Sequence, residues 1–348
     1  MPATPLNVAV VGTGSFGRNH VRVYQELAGS GQARLVALVD SDTSRNQALA
    51  AETGCRAFAS LDDLLAARAS GQLDVDAASV CVPTRLHHAV SRQLLEAGID
   101  VLVEKPITAT LDEASALVDL AERRSRILQV GHLERFNPAV SAVRPLLNSP
   151  MFFEAHRLSV FTPRALDVDV VLDLMIHDLD IVLNFTKSPV VDVRAVGLPI
   201  LTPRVDIANV RVEFASGAVA NFTASRVSTE RVRKLRFFQP HQYVSIDYAR
   251  QDVLLIDVPR ASAKELATVA VTNPQPHPSA GLGLRKLDVK TGEPLRIEIE
   301  SFLQSVITRQ PPAVSAAEGL TALTLATQIR EAMAQHHAHA NLDRFTLP

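Results

Sequence analysis

The sequence predicts an α/β protein: an N-terminal Rossmann domain with a doubly wound parallel sheet, followed by an α+β domain with a mostly antiparallel sheet. Short apolar runs alternate with amphipathic helical segments from Leu6 to Val130, a pattern typical of parallel sheets. The turn after the first apolar run carries three glycines at the spacing that dinucleotide-binding proteins use. Beyond Val130 this alternation stops, and several strand-like segments follow one another.

The length of the chain predicts two domains. Its 348 residues exceed what one hydrophobic core usually supports, and we place the domains at residues 1–130 and 131–348, with the C-terminal helix free to pack back on the first. The formal net charge of −2 gives no reason to expect nucleic acid or a membrane surface as a partner. Cys55 and Cys81 each fall in a predicted strand, and neither a signal peptide nor a membrane span is evident. We therefore expect a cytoplasmic protein.

The first strand, turn and helix predict a dinucleotide-binding unit. Leu6–Val11 is apolar, Gly12–Gly17 is the glycine-rich turn, and Arg18–Ala28 has one apolar helical face. The glycines would permit a tight turn, close approach of a pyrophosphate to the backbone, and helix-on-strand packing. Asp40 ends the next strand about 20 residues on, where an acid meets the adenosine ribose. Its charge would repel a 2′-phosphate, which predicts NAD rather than NADP.

Strands and helices continue to alternate up to residue 130. The segments are a helix stopped by Gly54, a helix start at Ser60–Asp63, a strand at Ala77–Val82, a helix at His87–Ala97, a strand at Ile99–Val103, a capping box at Thr110–Glu113 and a strand at Ile127–Val130. Ligands of such sheets lie beyond the carboxyl ends of the strands. We therefore expect the nicotinamide pocket to be lined by the residues found there: Pro83, Thr84, Glu104, Lys105 and His132. His87 opens a helix beside them, and cofactor contact and a solvated or capping role are equally open for it.

The second part of the chain predicts strands covered by helices on one face. The segments are a helix that Arg135–Pro138 leads into and that runs through Leu147, a strand at Phe152–Phe161, a helix at Asp169–Phe185, strands from Val190 to Val258, an irregular stretch at 259–294, and helices at Arg296–Thr308 and Ser315–His336, the last with a capping box. Asp173, His177, Asp180 and Asn184 fall on one stripe of the 169–185 helix. That stripe fits a cavity, a buried polar network or a metal site that uses Asp173, His177 and Asp180.

These motifs together resemble the Gfo/Idh/MocA family, named for glucose-fructose oxidoreductase, inositol dehydrogenase and a rhizopine-catabolism protein. The matching segments are Gly12-Thr-Gly-Ser-Phe-Gly-Arg18, Pro83-Thr84 with His87, Glu104-Lys-Pro106, Asp173 with His177-Asp178, and Pro311-Pro-Ala-Val-Ser-Ala-Ala-Glu-Gly-Leu320. The resemblance covers nearly the whole chain. It implies that the sheet of the second domain is open-faced and mediates oligomerisation, as a homodimer or homotetramer.

The resemblance also implies a function and roles for residues. Gly131–Pro138 and Leu172–Asp180 are more similar to the branch that oxidises the 3-hydroxyl of UDP-N-acetylglucosamine or related UDP-sugars with NAD. Lys105 and His177 would flank the reacting carbinol, and Asp173 would bind a neighbouring hydroxyl or orient the site. The 3-keto product would go to an aminotransferase in amino-sugar synthesis for lipid A or the cell envelope.

The expected site residues fall into two groups. The cofactor-binding group is Gly12, Thr13, Gly14, Ser15, Phe16, Gly17, Asp40, Pro83, Thr84, His87, Glu104 and Lys105, and the substrate-binding group is His132, Arg135, Asn137, Arg157, Arg164, Asp173 and His177. We expect the arginines to bind the diphosphate, although each could equally be a surface residue. The basic run Arg231–Arg236 is a second candidate, which an exposed sheet edge or a subunit contact explains as well. We expect no metal.

Three other functions stay open at this point. The family resemblance alone implies a dehydrogenase of a sugar or cyclitol, so a free sugar or an inositol could be the substrate. A non-catalytic protein that senses dinucleotides is possible on the same fold. A metal-dependent sugar isomerase is the third, which a chelator would distinguish.

Overall fold

The computed structural model describes residues 5–29, 31–162, 168–257 and 283–342. The chain divides into two compact units, the first made of residues 1–136 and 293–324 and the second of residues 137–292 and 325–348. The first unit thus extends to residue 136 and also includes residues 293–324, whereas the predicted boundary was residue 130 with the C-terminal helix free to pack back on the first domain.

The first unit contains a six-stranded parallel sheet with the strand order β3-β2-β1-β4-β5-β6. Its strands are β1 (Leu6–Val11), β2 (Ala33–Val39), β3 (Arg56–Phe58), β4 (Ala77–Val80), β5 (Asp100–Glu104) and β6 (Leu128–Gly131). Its intervening helices are α1 (Gly17–Gly29), α2 (Thr43–Thr53), α3 (Leu61–Ala69), α4 (His87–Glu96) and α5 (Leu111–Arg124). This order is that of a Rossmann domain and confirms the predicted doubly wound sheet.

Local capping explains where these helices begin and end. The Ser60 hydroxyl accepts the backbone N–H of Asp63 at the start of α3, and Thr110 and Glu113 form the predicted capping box of α5. Gly54 ends α2 with a positive φ of 72°, a conformation that costs glycine little. The cysteines lie just outside strands rather than within them: Cys55 precedes β3, Cys81 follows β4, and both are free thiols.

Residues 293–324 complete the core of the first unit. Ile299 and Phe302, from a helix at Pro294–Thr308, are fully buried against β1 and α1. Val130 N–H donates to the Val314 carbonyl, and a Cβ on Gly319 would lie 2.6 Å from a Val130 methyl. This close packing explains why the C-terminal segment belongs with the Rossmann sheet.

The second unit contains an eight-stranded sheet with the order β14-β13-β12-β11-β7-β10-β9-β8. Its strands are β7 (Phe152–Leu158), β8 (Val190–Leu198), β9 (Ile207–Phe214), β10 (Val219–Ser225), β11 (Val232–Gln239), β12 (Gln242–Asp247), β13 (Asp252–Asp257) and β14 (Gly283–Lys286). All neighbours are antiparallel except β7 and β10, which confirms the predicted mostly antiparallel sheet. Alternate residues of the inner strands are buried, so one face of the sheet carries the core.

Three predicted segments differ in the structure. The helix predicted to follow Arg135–Pro138 and run through Leu147 begins at Pro138 but ends earlier, as α6 (Pro138–Val143), because Pro145 lacks a backbone N–H and a tight 3₁₀ turn replaces the helix there. The basic run lies on β11, between β12 and β7, so it is not a sheet edge. Of the predicted irregular stretch, residues 283–286 form the edge strand β14, and residues 258–282 lie outside the described residues.

The 169–185 helix is also not uniform. Val171–Met175 forms a π-helical turn, and a regular α-helix, α7 (Ile176–Thr186), follows it. The remaining helices are α8 (Pro294–Thr308) and α9 (Ala316–Ala340). No helix within the described part of the chain is long and apolar enough to span a bilayer.

A buried ion pair fastens α7 to the sheet of the second unit. The Arg157 Nε lies 2.7 Å from one Asp178 oxygen and its Nη2 3.0 Å from the other. The Arg157 guanidinium also lies over the Tyr248 ring, 5.2 Å from its centroid. Bidentate pairs of this kind fix orientation as well as distance, so Asp178 holds the helix turn that carries its neighbour His177.

Candidate active site

The three glycines of the first turn differ in what surrounds them. A Cβ on Gly12, whose φ is +92°, would lie 2.7 Å from the backbone of Cys81 and Val82, and a Cβ on Gly17 would lie 1.9 Å from the Gly12 carbonyl oxygen. A Cβ on Gly14 would meet nothing within 4 Å. Gly12 and Gly17 are thus required by packing, whereas Gly14 leaves its backbone open. An open backbone at the second glycine is what a dinucleotide pyrophosphate needs.

Asp40, at the end of β2, is held by four hydrogen bonds. Its Oδ2 accepts the backbone N–H and the hydroxyl of Thr13 at 2.7 and 3.0 Å, and its Oδ1 accepts the Asp42 N–H and the Arg45 Nη2, both at 2.9 Å. Burial raises the pKa of Asp40, but these hydrogen bonds outweigh it and hold the pKa below its ordinary value. The carboxylate is therefore charged and oriented, as a ribose-binding acid must be.

Arg45 is a residue that the sequence analysis missed. Arg45 lies in the first turn of α2 and forms ion pairs with Asp40 and Asp42. Its side chain is about one-third exposed. The sequence signal that could have identified Arg45 is a cation five positions after the predicted ribose-binding acid. Because it neutralises Asp40 from one side, Arg45 stands where a 2′-phosphate would need a partner.

The predicted nicotinamide-side residues lie at neighbouring strand ends of the first unit. Pro83 and Thr84 follow β4, Glu104 ends β5, Lys105 comes next, and His132 follows β6. β4 pairs with β5 and β5 with β6, so the structure brings these ends together at one edge of the sheet. His132 is buried, while Thr84, Glu104 and Lys105 are partly exposed.

Behind Glu104 lies a chain of buried polar contacts that the sequence analysis also missed. The His20 Nε2 lies 2.9 Å from the Glu104 carboxylate, and its Nδ1 lies 3.1 Å from the Ser79 hydroxyl, which contacts the Tyr24 hydroxyl at 2.8 Å. A Cβ on Gly131 would lie 3.0 Å from the Glu104 carboxylate. Glu104 is thus anchored from inside the domain, next to Lys105.

His87 is buried rather than solvated. It is 1% exposed, and its ring contacts two backbone carbonyls. Nδ1 lies 2.8 Å from the Pro106 oxygen and Nε2 lies 2.9 Å from the Val82 oxygen. Burial lowers the pKa of His87, and the two facing carbonyls, which favour the protonated ring, offset this only in part. The predicted cofactor contact of His87 stays a prediction.

In the second unit, Asp173 lies in the π turn and His177 in the first turn of α7. Both are partly exposed, whereas Asp180 is buried. The residues of the predicted polar stripe therefore differ in burial. The Asp169 carboxylate accepts the N–H groups of Val171 and Leu172 at the start of the turn. π turns inside helices often occur at functional sites, and Asp173 lies within this one.

Three of the predicted substrate contacts are buried and have other partners. Arg135 pairs with Glu318, the capping residue of α9, at 2.9 Å, and Arg157 pairs with Asp178. The Asn137 side chain caps α6 and donates to the Tyr248 carbonyl. Arg135, Asn137 and Arg157 therefore each stabilise the fold, and direct substrate contact by them stays a prediction. Arg164 lies outside the described residues. Among the described residues, no group of three or more His, Cys, Asp or Glu could hold a metal ion.

The fold and the glycine turn define the chain as a dinucleotide-dependent oxidoreductase. Residues 6–132 match the oxidoreductase family with an NAD-binding Rossmann fold, and residues 148–239 match the GFO/IDH/MocA C-terminal domain. The chain belongs to the Gfo/Idh/MocA family, which confirms the predicted family and NAD as the cofactor.

Two relatives cover most of the chain. UDP-N-acetylglucosamine 3-dehydrogenase from Acidithiobacillus ferrooxidans is 34% identical over 94% of this chain and 97% of its own. Its solved structure matches with a TM-score of 0.83 over 95% of this chain and 98% of the other. Inositol 2-dehydrogenase from Rhizobium meliloti is 26% identical over 91% of this chain and 93% of its own. The chain is therefore a dehydrogenase similar to enzymes of sugars and cyclitols.

Replacing the first-turn glycines one at a time should separate packing from cofactor approach. We expect Gly17→Ala to lower the free energy of unfolding by about 3 kcal/mol or more, because its Cβ overlaps the Gly12 carbonyl. Gly14→Ala should leave stability within ~0.5 kcal/mol and weaken NAD binding at least about tenfold. Chemical denaturation and calorimetric titration with NAD measure the two effects. Equal loss of stability in both variants would contradict these assignments.

Asp40 and Arg45 together should set the preference for NAD over NADP. In Asp40→Ser, Arg45 loses this acidic partner and can meet a 2′-phosphate, so the ratio of NADP to NAD affinity should rise about tenfold or more. The double variant Asp40→Ser/Arg45→Ala should lose most of that gain. Titration with both cofactors measures the ratio, and a ratio unchanged in Asp40→Ser would mean that another group binds the ribose.

Proposed function

We propose that this chain oxidises the 3-hydroxyl of a UDP-sugar such as UDP-N-acetylglucosamine to the 3-keto sugar, with NAD. The observation that carries the proposal is the 34% identity to UDP-N-acetylglucosamine 3-dehydrogenase along almost the full length of both chains. Lys105, Asp173 and His177 provide the residue types that such an oxidation needs.

The proposed chemistry removes a hydride from carbon and a proton from oxygen. Bound NAD supplies the hydride acceptor. Neutral His177 accepts the hydroxyl proton as the carbon–oxygen bond becomes a carbonyl, and the Lys105 ammonium donates a hydrogen bond to that oxygen and stabilises its negative charge. Asp173 binds a neighbouring hydroxyl or orients His177. Both Lys105 and His177 are needed in this scheme.

The buried positions of Arg135 and Arg157 bear on the diphosphate. Because both guanidinium groups are occupied by carboxylates, the basic run Arg231–Arg236, the second candidate, is favoured for the diphosphate. The pairing of Arg135 and Arg157 also favours keeping a second candidate function, a dehydrogenase of a free sugar or an inositol, as the inositol 2-dehydrogenase relative suggests. If the UDP group is part of the substrate, removing it abolishes turnover. A non-catalytic NAD-sensing protein would turn over neither substrate.

We expect Lys105→Met to lower kcat by about 10³-fold, because the hydrogen bond and the charge at the carbinol oxygen are lost. NAD affinity should stay within about threefold, since the backbone and Asp40 carry most of that binding. Mass spectrometry would look for a product two hydrogens lighter from UDP-N-acetylglucosamine and NAD. Lys187→Met, on the exposed end of α7, is the control. Full activity in Lys105→Met would refute its role.

We also propose that the open face of the second sheet forms a homodimer or homotetramer contact. Phe152, Phe238 and Tyr243 stand side by side on β7, β11 and β12, with ring centroids 5.6 and 5.0 Å apart, and Phe238 is 41% exposed. Exposed apolar rows of this kind mark contact surfaces.

The keto product of the proposed reaction would be consumed by an aminotransferase in a reducing cytoplasm.

Light scattering should give a multiple of the 37.7 kDa chain mass. Phe238→Asp should lower the assembly state, because a charge would be buried in the contact. Ile307→Asp, at a similarly exposed apolar position of the first unit, should leave the mass unchanged. A wild-type protein that is monomeric at micromolar concentration would overturn this assignment.

A further inference from the structure

The buried imidazole of His87 sits where the pairing of two strands has ended. The ladder between β4 and β5 runs from Ala77 with Asp100 to Val80 with Val103. Beyond it, the two backbones continue as separate segments, one through Val82 and the other through Pro106. His87 contacts a carbonyl of each, at 2.9 and 2.8 Å. The His87 side chain thus connects the two segments beyond the point where the backbone pairing between β4 and β5 ends.

The two carbonyls belong to segments with different expected tasks. Val82 directly precedes Pro83 and Thr84, which are expected at the cofactor, and Pro106 directly follows Lys105. Because each ring nitrogen faces a different segment, one side chain influences both. A neutral imidazole has one N–H and can donate to only one of the two carbonyls, whereas a protonated imidazole has two and donates to both, so the two contacts act together when the ring is protonated. A buried carbonyl that loses its donor is destabilised.

We propose that His87 is a positioning residue that ties the Val82–Thr84 segment, through Nε2, to the Lys105–Pro106 segment, through Nδ1. The Nε2 contact orders the segment that binds NAD, and the Nδ1 contact orders the segment that presents Lys105 to the substrate. This inference deepens the proposed dehydrogenase function. Only the part that concerns Nδ1 and Lys105 rests on that function, because the part that concerns Nε2 depends on NAD binding alone.

Two amide substitutions separate the two contacts. An asparagine side chain places its nitrogen where the Nδ1 of histidine lies, and a glutamine places its nitrogen near Nε2, because the numbers of bonds from Cβ are equal. His87→Asn therefore keeps the contact with Pro106 and loses that with Val82. His87→Gln keeps Val82 and loses Pro106. His88→Gln, one residue further along α4, is the matched control.

We expect opposite effects in the two variants. His87→Asn should weaken NAD binding by about tenfold and leave kcat at saturating NAD within about twofold, whereas His87→Gln should lower kcat by about tenfold and leave NAD affinity within about twofold. Calorimetric titration with NAD gives the affinity. Turnover of UDP-N-acetylglucosamine, followed by mass spectrometry, gives kcat. His88→Gln should change neither quantity by more than about twofold.

Hydrogen exchange gives a measurement that needs no substrate. Amide exchange should quicken in a peptide that covers residues 82–86 for His87→Asn, and in one that covers residues 105–109 for His87→Gln. If the wild-type chain does not turn over UDP-N-acetylglucosamine, the proposed function fails, while affinity and exchange still decide the role of His87. Equal losses of affinity, turnover and melting temperature in both variants, or no change in either, would overturn the proposal.

Discussion

The architecture of the first unit depends on two glycines, Gly12 and Gly17, at positions where a side chain would overlap backbone atoms. Gly12 lies against the backbone that leaves β4, and Gly17 lies against the Gly12 carbonyl. The start of α1 is therefore pressed onto the ends of β1 and β4, which points its N-terminus across the carboxyl edge of the sheet. A helix N-terminus in that position favours an anion. Gly14, with open space around it, leaves the backbone accessible where a pyrophosphate approaches.

The carboxyl edge is held in place by buried polar groups rather than by the sheet ladder. Asp40 is fixed by Thr13, Asp42 and Arg45, Glu104 is held from behind by His20, and His87 bridges two backbone segments. Each contact satisfies a polar group that burial would otherwise penalise. The consequence is an edge whose functional side chains and backbone groups are oriented before any ligand arrives, which reduces the ordering cost of binding.

The second unit uses a different device for the same purpose. The Arg157–Asp178 pair fixes the start of α7 against the sheet, and the π turn at Val171–Met175, which contains Asp173, directly precedes that helix. Removing one partner of a buried ion pair leaves an uncompensated charge, so the pair constrains this turn strongly. Arg157, which the sequence analysis expected at the diphosphate, serves here to position the helix.

Local sequence determined much of this protein. The glycine spacing, the acid after β2, the capping boxes at Thr110 and Ser315, and the alternation up to Val130 each depend on residues a few positions apart, and all of these elements are present in the structure. Contacts between distant residues were decided by the tertiary structure alone. His20 with Glu104, Arg157 with Asp178, and His87 with two separate carbonyls join residues whose types are common in any sequence. Their roles come from burial, which makes an unpaired polar group costly and selects its partner, and burial depends on the whole fold.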